Sequence, residues 1–246
     1  MRVLILVLTL NELENLSVLL SRTFGSCPDA DVLVVDDDSP DGTGELATRM
    51  AEQNPRLKVV IRKERRGLGN AMCFGLRYAI DRDYEFVVNL NGDLSHSPED
   101  IPRLIATSIS SNPPADLVIG SRYVQGSLTT GWPLKRLLIS RVVNRFATLV
   151  LRLPVSDCSG GFHCYRVARL SELDFSAMIS HGYSIQEEIL MKLQARGARM
   201  IMNVRDRACL RGFTGSLSLA ITIAVSFWGA RIKAVGDGTL GSCRGL

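Results

Sequence analysis

"VVNLNGDLSHSPED", residues 87–100, decides how the chain is read. An apolar run ends abruptly on Asn91, Gly92 and Asp93, followed by Ser95 and His96. Uncharged aliphatic residues cut off by turn formers have the pattern of a buried strand. Such a strand brings polar groups to its C-terminal edge, where open α/β sheets bind ligands. Turn chemistry alone also accounts for Asn-Gly-Asp, and His96 is read as part of the turn before Pro98.

The same punctuation recurs outward from this stretch. Val3–Leu8 reads as a first strand, and Asn11 as the cap of a helix, with Glu14 completing a capping box and Leu13, Leu16, Leu20 and Phe24 as its apolar stripe. "DVLVVDDDS", "LKVVI", "YEFVVNLNGD", "ADLVIGSRY" and "RMIMNV" are further strands. Helices are expected over "GLGNAMCFGLRYAI" and near residues 99–110, 133–151 and 184–196. Strands alternating with helix-period segments predict an α/β fold, with a mostly parallel central sheet and flanking helices. Residues 1–211 are expected to form that domain and 212–246 a C-terminal helix and tail. Residues 212–230 carry no charge and approach the roughly 20 residues of a membrane span, but they are rich in Gly, Ser and Thr. A packed, interfacial or spanning helix all fit.

Composition narrows the class. The 246 residues are 46% hydrophobic and 22% charged, as in an ordinary globular protein. A net charge of +4 is too mild to indicate nucleic acid but admits anionic partners. The six cysteines form no C-x-x-C pair, so a reducing cytosol is the expected compartment. "MRVLILVLTLNELEN" turns acidic too soon for a signal peptide.

Three strand ends are polar: Asn11-Glu12, Asp36-Asp37-Asp38 and Asn91-Gly92-Asp93. Three adjacent carboxylates repel one another unless a base, a ribose or a cation uses them, although Asp41 or Thr43 also reads as a helix cap. "RKERRGLGNA" sets four basic residues before a Gly-x-Gly turn and a helix start, which suits a diphosphate. It is neither a dinucleotide fingerprint nor a P-loop. Arg122 ends a strand. Arg136 and Ser140, four apart on an expected helix, share a face that is either a solvated basic surface or a phosphate site. With three histidines and no G-x-S-x-G, a hydrolase triad has little support.

The colinear series "TLNELEN", "VVDDDSPDGT", "RRGLGNA", "NGDLSHSPEDIP", "VIGSRYVQG", "SRVVNR", "SGGF" and "GYSIQEE" resembles the dolichol-phosphate (polyprenol-phosphate) mannose synthases, inverting family 2 glycosyltransferases of GT-A fold. The resemblance implies a nucleotide-sugar-binding fold. It implies transfer of a sugar, most simply mannose from GDP-mannose and second UDP-glucose, onto a polyprenyl or dolichyl phosphate. It also implies Mg²⁺ or Mn²⁺ as cofactor and a peripheral position at the cytoplasmic membrane face. Leu8, Leu10 and Glu12 match a Pro-x-Tyr-x-Glu nucleotide contact, of which only Glu12 is kept. Val35 and Asp37 match the residues that hold the base. Asn91, Gly92 and Asp93 match an Asp-Ala-Asp metal motif, with Ser95 close by. Arg122, Arg136 and Ser140 match groups facing the phosphates, and Ser159–His163 matches Thr-Ser-Gly-Phe-Arg. A later Arg-x-x-Gly-x-Ser-Lys pattern falls in "DRACLRGFTGSLS", where Arg207 or Arg211 supplies the arginine and Arg207 is assigned to the nucleotide sugar. The alternatives are a catalytically weak or silent relative that binds nucleotide or a partner, and a transferase using another acceptor.

Overall fold

The structure, a computed structural model, describes residues 1–64, 66–121, 134–158, 160–180 and 182–205. The expected boundary at 211/212 and the uncharged segment beyond it lie outside the described residues.

Seven strands form one sheet among these residues: β1 (Val3–Thr9), β2 (Asp31–Asp36), β3 (Leu57–Ile61), β4 (Phe86–Asn91), β5 (Leu117–Ser121), β6 (His163–Arg166) and β7 (Met200–Arg205). Their order is β3-β2-β1-β4-β6-β5-β7. Every pairing is parallel except those of β6, which runs antiparallel to β4 and β5. β1 is buried along its whole length, as a central parallel strand covered on both faces must be.

The helices are α1 (Leu13–Ser26), α2 (Thr43–Gln53), α3 (Leu68–Asp81), α4 (Ile101–Ser110), α5 (Leu134–Leu151), α6 (Val167–Leu170) and α7 (Ile185–Ala195). A 3₁₀ turn, Pro98–Asp100, leads into α4.

The face that α1 buries is Leu16, Leu19, Leu20 and Thr23, and the three leucines join the core cluster shared with β1, β2, β4 and α4. Each buried Leu contributes about 1.5–3 kcal/mol. Thr23 enters this face because its hydroxyl donates to the Leu19 carbonyl at 2.7 Å. Leu13, expected in the stripe, is exposed, and Phe24 is only partly buried.

The expected capping box is not formed. Asn11 takes a left-handed φ of 59° and Glu12 occupies the cap position, with no side-chain cap bond. Donors at the start of α1 are satisfied across the loop after β2 instead. Asn11 N donates to Ser39 Oγ (3.0 Å), Glu12 N to Thr43 Oγ1 (2.9 Å) and Leu13 N to Asp41 Oδ2 (3.1 Å). Asp41 Oδ1 also accepts from Thr43 N at 2.9 Å, while Gly42, not Asp41 or Thr43, holds the α2 cap position. "DGT" therefore ties the loops after β1 and β2 together at one edge of the sheet.

Candidate active site

The polar residues of the opening stretch lie at that edge. Register aligns Val35, Leu8 and Asn91 in one row across β2, β1 and β4. Leu8 and Val35 are buried core side chains, so only their backbone is available to a ligand, whereas Leu10 is exposed. Just past the row, Gly92 N donates to the Leu8 carbonyl at 3.0 Å. A Cβ at Gly92 would lie 2.9 Å from Glu12 Cγ and from Thr9 Cγ2, so only glycine lets Glu12 come this close. The Glu12 carboxyl is raised above its ordinary value, first by burial and further by the charges of Asp93 and Asp41, against a lowering bond from Asn15. Asp93 Oδ1 accepts from Ser95 N at 3.0 Å, closing a tight turn around Leu94 with its φ of 56°. Ser95 and His96 are buried. The His96 ring stacks on Phe162 at 5.1 Å, so it serves as part of the core as well as the turn.

The opposite wall is made by β6 and α7. Asn89 Nδ2 donates to the Gly161 carbonyl at 2.7 Å. A Cβ on Gly161 would meet Asn91 Oδ1 at 2.9 Å and Gln186 Nε2 at 3.1 Å. The Asn91 and Gln186 amides thus converge over a glycine that no side chain could replace without displacing one of them. Tyr183, in the turn before α7, has its phenol raised by burial and by the charge of Asp93.

Behind this wall the interior is polar. Burial lifts the Glu187 carboxyl to about 8, helped by Asp157, and holds His163 down at about 4 despite Asp157. His163 Nδ1 lies 2.7 Å from the Tyr165 hydroxyl, and Ser121 Oγ donates to Asp157 Oδ2 at 3.3 Å. Asn89 Oδ1, Ser95 Oγ, His163 Nε2, Gln186 Oε1 and Glu187 Oε2 are buried without a hydrogen-bond partner. So many incompletely bonded atoms around one wall mark a place where water or a ligand completes the network. Gln186 and Glu187 entered the sequence reading only inside the matched "GYSIQEE" and were given no role, because "QEE" reads as an acidic first turn of a helix. Besides that match, their local signal is three large polar residues directly before the apolar "ILM".

At the end of β2 the carboxylates are consumed internally. Asp36 accepts from Thr9 Oγ1 (2.8 Å), Ser39 N (2.8 Å) and Ser39 Oγ (2.6 Å). Asp37 pairs with Arg62 at 3.0 Å in a buried bridge and accepts from Gly67 N at 2.6 Å. Asp38 faces Arg66 at 3.8 Å. Arg62, Arg66 and local donors relieve the repulsion among the three charges, so that repulsion does not by itself require a ligand. The same contacts draw part of "RKERRGLGNA" toward β2.

Arg122 and Arg207 lie outside the described residues. Arg136 and Ser140 are on α5, four residues apart, with side chains also outside them. Among the described residues no three or more His, Cys, Asp or Glu side chains are placed together to hold a metal ion. The Asp93 carboxylate, Asn91 amide oxygen and Ser95 hydroxyl are nonetheless hard oxygen donors of the type Mg²⁺ and Mn²⁺ take. The buried, unpartnered Ser95 Oγ fits such a set.

A mostly parallel sheet with one antiparallel insertion and an oxygen-rich strand edge defines a GT-A glycosyltransferase fold. Solved structures of glucosyl-3-phosphoglycerate synthase from Mycobacterium tuberculosis share it. The complex with Mn²⁺, UDP and phosphoglyceric acid superposes with a TM-score of 0.68 at 17% identity, over 93% of this chain and 78% of that one. The complex with Mg²⁺ and UDP gives 0.66 at 16% identity, over 93% and 78%. Residues 4–173 match Glycosyl transferase family 2, and the chain belongs to that family. It is 38% identical to undecaprenyl-phosphate mannosyltransferase of Micrococcus luteus, over 82% of this chain and 81% of the relative. It is 37% identical to polyprenol monophosphomannose synthase of Mycolicibacterium smegmatis, over 81% and 75%.

Proposed function

We propose that this glycosyltransferase moves mannose from GDP-mannose onto a polyprenyl or dolichyl monophosphate, with inversion, as a peripheral protein on the cytoplasmic membrane face. The observation that carries the reading is the 38% identity to an undecaprenyl-phosphate mannosyltransferase across 82% of the chain. Asp93, Asn91 and Ser95 would hold Mg²⁺ or Mn²⁺, which when bound neutralises charge on the leaving diphosphate. Glu12, Asp37, the backbone of Leu8 and Val35, Leu10, Gly92 and Arg207 serve the nucleotide side. Arg122, Arg136 and Ser140 orient the acceptor phosphate. That phosphate carries close to two negative charges near neutral pH, so the chain need supply no general base. Its work is alignment of acceptor and leaving group. Asn91 contributes oxygen without charge, which makes cation affinity weaker than at a double-carboxylate site.

Purified protein incubated with radiolabelled GDP-mannose and polyprenyl phosphate is expected to yield labelled lipid. Labelled lipid from UDP-glucose alone would change the donor assignment. Nucleotide binding by calorimetry without lipid product from any donor would support the silent-relative reading, which Asn91, Leu8 and Leu10 favour.

A further inference from the structure

The first turn of α7 buries three large polar residues in a row: Gln186, Glu187 and Glu188 are 4%, 1% and 8% exposed. Successive residues of a helix point about 100° apart, so each faces a different part of the molecule. The Gln186 amide converges with that of Asn91 over Gly161. Glu187 lies within the charge of Asp157 in the polar interior. Glu188 reaches back to the segment that leads into the helix.

There its carboxylate is fully engaged. Both oxygens accept from Ile179 N, at 3.0 and 3.1 Å, and Oε2 also accepts from Ser180 N at 2.8 Å. Lys192, one turn on, pairs with Oε1 at 3.1 Å and donates to the Ala177 carbonyl at 2.8 Å. Burying a carboxylate is costly unless charge-assisted bonds offset the lost hydration. Here those bonds, and the second bond of Lys192, all go to one stretch of backbone, residues 177–180.

The start of α7 needs such a hold. Ser184, at its cap position, makes no side-chain cap bond among the described residues. The first backbone bonds of the turn are long: Ile185 N donates to the Gly182 carbonyl at 3.3 Å and Gln186 N to the Tyr183 carbonyl at 3.4 Å. A helix start with its donors poorly satisfied frays. The turn that presents Gln186 is therefore fastened from within the helix, by Glu188 and Lys192 gripping the backbone ahead of it.

We propose that Glu188 is a positioning residue: by bonding the backbone amides of Ile179 and Ser180 it fixes the first turn of α7 and so holds the Gln186 amide against Asn91 at the end of β4. The proposal rests on the functional reading above for the reaction it serves. Glu188 acts through Gln186 and not on the substrate, because its oxygens are already taken by Ile179, Ser180 and Lys192.

The test is a double-mutant cycle on mannolipid formation by the full chain. Glu188→Ala and Gln186→Ala are each expected to lower kcat about tenfold, with GDP affinity by calorimetry within about twofold of wild type. Because one residue acts through the other, the double variant should be no more than about twofold slower than either single variant. Independent roles would multiply to a loss of about a hundredfold, and that result overturns the proposal, as does near-wild-type kcat in Glu188→Ala. If circular dichroism shows Glu188→Ala unfolded, Glu188→Gln takes its place in the cycle and is judged by the same non-additivity. Hydrogen exchange separates the tether from the chemistry. The amides of Ile179, Ser180, Ile185 and Gln186 should exchange about tenfold faster in the Glu188 variant and not in Gln186→Ala. Unchanged exchange overturns the proposal whatever the lipid assay gives. Faster exchange in a protein whose wild type makes no mannolipid would keep the tether and sink the functional reading.

Discussion

The ends of β2 and β4 look alike in sequence, each an apolar strand closing on acidic and turn-forming residues, yet they do different work. At β2, Asp36 is bonded to Thr9 and Ser39, Asp37 to Arg62 and Gly67, and Asp38 faces Arg66. At β4, Asp93 sits beside the half-buried Glu12, next to the unpartnered Ser95 hydroxyl and the convergent Asn91 and Gln186 amides. The comparison teaches that a run of acids is not itself a site. What differs between the two ends is how many of the acceptors the protein's own donors have already used.

The sharpest way to break this contrast is a paired substitution. Asp93→Asn is expected to lower mannolipid formation on the order of a thousandfold, as loss of several kcal/mol of charge stabilisation requires. Asp38→Asn, at an exposed carboxylate 3.8 Å from its arginine, should stay within about threefold. Comparable losses at both positions would erase the distinction.

Stability should show the reverse pattern. Arg62→Ala strands the buried Asp37 carboxylate and is expected to cost about 3–5 kcal/mol in urea unfolding. Asp93→Asn should leave the midpoint almost unmoved. A mild Arg62→Ala would mean that the β2 bridge is not holding the scaffold.

Gly161→Ala sharpens the β4 side. Its methyl would press on Asn91 Oδ1 and Gln186 Nε2, both flexible side-chain ends that can move aside. Steady-state kinetics should therefore show kcat reduced about tenfold, from misplacement of under an ångström at the site, with a small stability change. Wild-type kcat would show that the Asn91 amide needs no fixed position.

The smallest expected effect lies behind the wall. Glu187 titrates near 8 in the folded protein against an ordinary 4.5, so the native state binds more protons than the unfolded chain between those values. Stability from Glu187 therefore falls as pH rises through that window. His163, held at about 4 against an ordinary 6.5, works oppositely, adding stability as pH rises from about 4 to 6.5. Of these two groups, only Glu187 still contributes a decline above 6.5. Glu187→Gln should flatten the fall in Tm between pH 6.5 and 8, and an unchanged slope would remove Glu187 as its cause.

How far the sequence reached follows from which physics is local. "LKVVI" became β3 residue for residue, and "YEFVVNLNGD" contains β4, Phe86–Asn91, because apolar period and turn punctuation are written into consecutive residues. β6 was missed because "HCYR" is four residues long and gets its strand geometry from β4 and β5 on either side. The α1 cap was misplaced because its acceptors, Ser39, Asp41 and Thr43, come from another loop. At the candidate site, the polar end of β4 was legible, whereas the internal partners of the β2 acids were not. Those partners, Arg62, Arg66 and Gly67, lie some thirty residues on. The burial of Gln186 is a tertiary fact: polarity in a sequence does not say which way a residue faces.

Cation binding tests the central claim most directly. Mn²⁺ titrated into the protein with saturating GDP and followed by electron paramagnetic resonance should show one nucleotide-dependent bound ion. That ion should be lost in Asp93→Asn, kept in Asp38→Asn and held more tightly in Asn91→Asp. An equal bound signal in Asp93→Asn, or its loss in Asp38→Asn instead, would contradict the placement of the site at the end of β4.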